Sequence, residues 1–133
     1  MAGLIANKIR IPITAGGEEV ILVCRRPTAV ETSTFLSQRF TAQGRKVKSN
    51  LYAAREELMR KVLVDVENAQ YETKAQELKP LTAQAVLSDE DKAYWSGILG
   101  KPVASWIDLI PLSWLSSGAM YFEDSAPEDA EGN

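Results

Sequence analysis

One cysteine, a few paired acids, one glycine pair and one short basic run are the only groups here whose type and spacing could do chemistry. Cys24 is followed by Arg25 and Arg26, and neighbouring guanidiniums can lower a thiol pKa toward the reactive thiolate. Activation by a base is a separate requirement, and the chain holds no histidine. The commonest general base and the commonest metal ligand are therefore missing. Cys24 also stands between Val23 and Arg25 in a β-branched run, so it reads as a half-buried structural cysteine.

Glu56 with Glu57, and Asp89, Glu90 and Asp91 in a row, have the make-up of glycosidase carboxylates or magnesium ligands. Their surroundings give them another role. The first pair falls on the exposed side of a helix, and the second set occupies a helix N-terminus, where the dipole favours acids. Gly16 and Gly17 lie between two strands, whereas a phosphate cradle needs its glycines between a strand and a helix, so they read as a hairpin turn. Arg45, Lys46 and Lys48 read as a solvated connector rather than a phosphate contact. The expectation is a chain with no catalytic, cofactor-binding or metal site.

Aromatic residues give a different signal. Tyr94, Trp95, Trp106, Trp114, Tyr121 and Phe122 crowd into the C-terminal third and include all three tryptophans. Tryptophan and tyrosine are ordinary core residues and also the residues most enriched in binding hot spots. Core packing is favoured for Trp95 and Trp106. For Trp114, Tyr121 and Phe122 core and interface are evenly matched, and these three are the candidate interaction residues, together with Ile9 and Ile11 on the hairpin described next.

The elements that would position these residues follow from periodicity. Ile9, Ile11 and Ile13 alternate with Lys8, Arg10 and Pro12, the pattern of a strand with one buried face. Pro12 has no donor for a ladder, which makes this an edge strand. Thr14 to Glu18 supplies a turn and Glu19 to Arg26 the returning strand, giving a β-hairpin over residues 7–26. That hairpin is expected to pair with other copies through its edges, its returning strand remaining open to a partner. Thr28 and Glu31 form a capping box for a helix over about 29–43, with Ala29, Ser33, Leu36 and Phe40 on one stripe and Gly44 as its cap. A longer helix over about 50–66 carries Leu51, Ala54, Leu58, Val62 and Val66, widened by Tyr52, Met59 and Leu63. Residues 67–80 read as a loop with one extended stretch around Tyr71. Shorter helices follow at 82–87, at 89–99 between a Ser88 cap and Gly100, from Pro102 to Ile110, and from Leu112 to about Ser117.

The expected fold is thus mainly α with an N-terminal β-hairpin, a small α+β domain of four to five helices. Residues 1–122 form the single domain, with the helical body at 28–118. Of 133 residues, 45% are hydrophobic and 25% charged, enough for one real core. The formal charge is -3, and five acids fall in residues 123–133 with no base, leaving a nearly neutral body. That excludes a dedicated nucleic-acid binder and marks 123–133 as a disordered acidic tail. With no leader, no apolar run long enough to span a bilayer and one cysteine, the expected address is the cytoplasm, with no membrane partner.

As a string of parts the chain resembles the tail assembly chaperones of long-tailed bacteriophages and prophages. The resemblance rests on the hairpin ending in a basic stretch before Pro27 and Thr28, and on the Thr28–Glu31 helix start. It continues through the long helix into Leu63–Asn68, the Pro80, Leu81, Thr82 segment and a short helical C-terminal part. Related chains often carry a tryptophan at the place of Val66. The resemblance implies a small, mainly helical, self-associating protein that coats the tape-measure protein until tail-tube subunits polymerise around it. Many members are also made in a longer, frameshifted form. Two other readings stay open: a structural virion or adaptor protein of a phage tail or neck, and a small inhibitor of a host protein.

Overall fold

The computed structural model describes residues 7–43 and 46–131. Strands β1 (Lys8–Ala15) and β2 (Glu18–Arg25) form the expected hairpin, joined by Gly16 and Gly17 at φ of 60° and 83°. Two consecutive left-handed residues make the tight turn whose twist matches a hairpin, and glycine enters that region without steric cost. Helix α1 (Ala29–Gln38) starts on the expected capping box, in which Thr28 accepts from the Glu31 N–H and Glu31 accepts from the Thr28 N–H. It ends earlier than periodicity indicated. Residues after Arg39 leave the helix for β3 (Phe40–Gln43), which pairs with β4 (Lys46–Ser49) where a connector was expected. The proposed cap Gly44 and the neighbouring Arg45 lie outside the described residues, as does the Phe40 side chain. Ala29 and Ser33 are exposed, and α1 buries Phe35 instead, because the inward face is set by Phe35 and its neighbours Thr32 and Leu36.

Helix α2 (Leu51–Val62) buries Ala54, Leu58, Met59 and Val62 as expected, while Tyr52 in its first turn is exposed. The chain then turns extended at Leu63 and runs as β5 (Leu63–Glu67) alongside β2. A helix to residue 66 is therefore overturned. Val64 and Val66 are β-branched and suit a strand, and Leu63 and Val66 are opposite Cys24 and Leu22 across the sheet. The order is β1-β2-β5, so β2 is central and has no open side. Residues 67–80 hold a small hairpin, β6 (Gln70–Glu72) with β7 (Leu78–Pro80), and Tyr71 is buried in it.

No helix forms at 82–87, where the Asp65 carboxylate instead accepts the Ala83 N–H and holds the segment against the sheet. Helix α3 (Asp89–Leu99) has both expected ends, a Ser88 hydroxyl accepting from Asp91 and a left-handed Gly100. From Pro102 to Ile110 only one 3-10 turn is helical, Trp106–Leu109. Asp108 accepts the N–H groups of Ala104 and Ser105, closing that turn, and Ile110 is extended before Pro111. Helix α4 runs Leu112–Glu131, well past Ser117 and through residues expected to be a disordered tail. Once its first half is docked, adding helical residues costs far less than nucleation.

These corrections change the fold class. With 46% helix and 25% strand, in seven strands and three sheets among the described residues, the chain is an α+β protein and not a mainly α one. One face of the three-stranded sheet carries Ile11, Ile13, Val20, Leu22, Cys24 and Val66. Helices α2 and α4 pack over that face with Met59, Val62, Leu115 and Ala119. The approach is close at Gly118, where a Cβ would stand 2.6 Å from Leu22 Cδ1 and 2.9 Å from Met59 Cε.

Candidate protein-interaction surface

The structure separates the five candidate interaction residues. Phe122 is 7% exposed and Ile11 is buried, both in the main core, and Ile9 and Trp114 are half-buried against it. Core position explains them: an α4 aromatic in or against the main cluster, or an inward isoleucine of β1, is used up in holding the fold. Tyr121 alone keeps a large exposed share, 46%, with its ring edge-on to Phe122 at 5.4 Å.

Uncovered apolar surface lies instead around α3. On a helical wheel Asp91, Trp95, Ile98 and Leu99 share one half of this helix, and its first turn is docked on that side by buried Asp91, whose carboxylate accepts the Lys74 N–H at 2.9 Å. One turn later the Trp95 indole N–H donates to the Glu72 carbonyl at 2.8 Å. Glu72 pairs with Leu78 across the small hairpin, and because the Thr73–Glu77 pair next to it is the bonded one, the Glu72 carbonyl turns away from β7 toward α3. Tyr94 meets Trp95 edge-to-face at 5.8 Å. Beyond this anchor the stripe is open, with Ile98 54% exposed and Leu99 41%; Leu78, on the second strand of the small hairpin, is 65% exposed. The docking of α3 is thus largely polar, and α3 contributes no residue to the main core.

Trp95 was expected to pack in a core and is only half-buried. Leu78, Ile98 and Leu99 were missed. Their one signal in the sequence is an apolar residue, Leu78, standing inside a polar stretch ahead of an amphipathic helix too short to have its own layer.

The groups with chemical potential are placed otherwise. Cys24 is fully buried in the central strand, and that burial pushes its thiol up to about 12. A thiol so held is protonated at neutral pH. Glu57 is paired with Lys61 on the surface of α2, and the Asp91 carboxylate is committed to the Lys74 N–H. Among the described residues no group of three or more His, Cys, Asp or Glu is placed to hold a metal ion. Lys46 and Lys48 belong to β4 rather than to a connector.

The far face of the sheet bears a groove of about 600 Å³ lined by Lys8, Arg10, Val23, Arg25, Asp65 and Glu67 among others. Its guanidiniums are matched already, Arg10 to Glu67 and Arg25 to Glu31. None of the described helices is long and apolar enough to cross a membrane. No family model, curated protein or solved structure matches the chain.

Proposed function

We propose that this chain works by binding another protein rather than by catalysis, and that it is a tail assembly chaperone holding the tape-measure protein of a long-tailed phage in the host cytoplasm. The observation that supports this most is the exposed apolar surface of α3, Ile98 and Leu99 beyond the Trp95 anchor, together with exposed Leu78 on the hairpin that Trp95 docks on. Contiguous exposed apolar surface marks interaction sites, and tryptophan and tyrosine are among the residues most enriched in hot spots. A tape-measure protein is a long helical chain, and an amphipathic helix laid along an apolar strip is a standard mode of recognition. The resemblance of the hairpin, the Thr28–Glu31 helix start and the Leu63–Asn68 segment to the chaperone family narrows the client.

The experiment is co-expression with a tape-measure fragment, followed by pull-down of the complex and mass spectrometry of purified tails. A stable complex with no copy retained in finished particles supports the reading. Stoichiometric retention in the particle replaces it with a structural or adaptor role.

A further inference from the structure

The register of the N-terminal hairpin determines which backbone groups β1 leaves unused. The Arg26 N–H donates to the Asn7 carbonyl at 2.9 Å, one step beyond the Lys8–Arg25 pair of the ladder. Bonded and non-bonded pairs alternate in an antiparallel ladder. Asn7, Ile9, Ile11 and Ile13 therefore turn their backbone groups to β2, while Lys8, Arg10, Pro12 and Thr14 turn theirs away. Pro12 sits where β2 asks for no donor, the position that tolerates proline. No other described strand pairs on that side, since β1 ends the order β1-β2-β5. All four outward residues are exposed, and Ile9 is only half-covered at the same margin.

We propose that this edge pairs antiparallel with β1 of a second copy, about a two-fold axis that sets Ile11 opposite Ile11. Lys8 then faces Thr14 of the second copy, Arg10 faces Pro12 and Ile9 faces Ile13. Charge, donor count and overlap of the apolar face together select this register among the symmetric ones, since centring on Ile13 meets the first two but leaves Ile9 outside the join. Centring on Ile9 sets Lys8 against Arg10, and centring on Arg10 sets two arginines face to face; like charges directly opposite oppose pairing. Centring on Pro12 opposes two residues that lack a donor. Only the Ile11 register avoids all three while carrying the apolar face of Ile9, Ile11 and Ile13 across the join, where Ile13 of the second copy covers the open side of Ile9. The contact is isologous and closes on itself, so it yields a dimer and not a filament. Pro12 leaves one carbonyl of each chain without its donor, and flanking charges blunt edges of this kind, so the pairing is reversible. It does not depend on the identity of the client.

The test is sedimentation velocity on the full chain over a range of concentrations, with circular dichroism as the check on folding. A concentration-dependent dimer is expected. Pro12→Val restores the missing donor twice per dimer and should tighten it about tenfold. Thr14→Lys sets two lysines opposite each other and should weaken it about tenfold, and adding Lys8→Glu to that variant should restore the wild-type constant. A chain that stays monomeric in all four forms overturns the proposal, as does a dimer indifferent to these substitutions. Dimer formation with no capture of a tape-measure fragment would count against the proposed function alone.

Discussion

The Glu123 carboxylate accepts from both Nε and Nη2 of Arg55, at 3.2 and 2.7 Å, and joins the last core turn of α4 to the first turns of α2. Arg55 also donates to the Ser116 hydroxyl at 2.9 Å, and Arg39 stands 3.7 Å from the same carboxylate. The two paired side chains are 12% and 11% exposed. Glu123 is therefore part of the fold, although composition alone assigns it to an acidic tail. Removing one member of a well-shielded pair leaves the other charge desolvated without compensation. Glu123→Ala should cost about 2 to 3 kcal/mol in chemical denaturation. Deleting residues 124–133 should change stability by less than about 0.5 kcal/mol.

Leu58 lies on the buried face of α2, in one core with Val62 and Met59. Leu58→Ala should cost about 2 to 5 kcal/mol, the range for leucine truncations that leave a cavity. A loss below about 0.5 kcal/mol would mean that α2 presents another face to the sheet.

Glu31 supplies a pH dependence. Two hydrogen bonds from Arg25, at 2.7 Å each, and one from the Thr28 N–H hold its carboxyl at about 2, below the ordinary 4.5. A carboxylate depressed in the folded state stabilises fully above its unfolded pKa, and that contribution is lost as pH falls through the folded value. The stability difference between wild type and Glu31→Gln should be constant above about pH 5 and shrink steadily toward pH 2. Urea denaturation at a series of pH values measures it; a difference that does not change with pH would contradict the geometry.

Cys24 should behave as an inert core thiol. Its burial in β2 and a pKa near 12 keep both access and thiolate low. Labelling with a thiol reagent at pH 7.5 should follow the global unfolding equilibrium, rising with denaturant along the same curve as circular dichroism.

Local signals were readable where chemistry is local. The Gly16 and Gly17 turn, the Thr28–Glu31 capping box, the Ser88 cap and the Gly100 stop each depend on residues within a few positions. Strand pairing over long separations was not. Leu63 to Glu67 continue the three- and four-residue spacing of α2 and also satisfy a strand, and only contact with Leu22 and Cys24 decides between the two. A helix misread there hides β5, and with it the fact that β2 is central. The exposed apolar surface of α3 was obscured for a related reason: aromatics near α4 and apolar residues of α3 look alike in sequence. Exposure is settled by which of them joins the main core, as Phe122 does and Ile98 does not.

The most direct test of the central claim is the affinity of a purified tape-measure fragment for the chain carrying Leu78→Ser and Ile98→Ser, measured by calorimetry beside wild type. Both side chains are more than half exposed, so the melting curve should be preserved. Binding should weaken by over about 2 kcal/mol, roughly thirtyfold in Kd, as for loss of a hot spot, with Tyr121→Ala costing much less. A double variant that binds the fragment within about twofold of wild type would contradict the account.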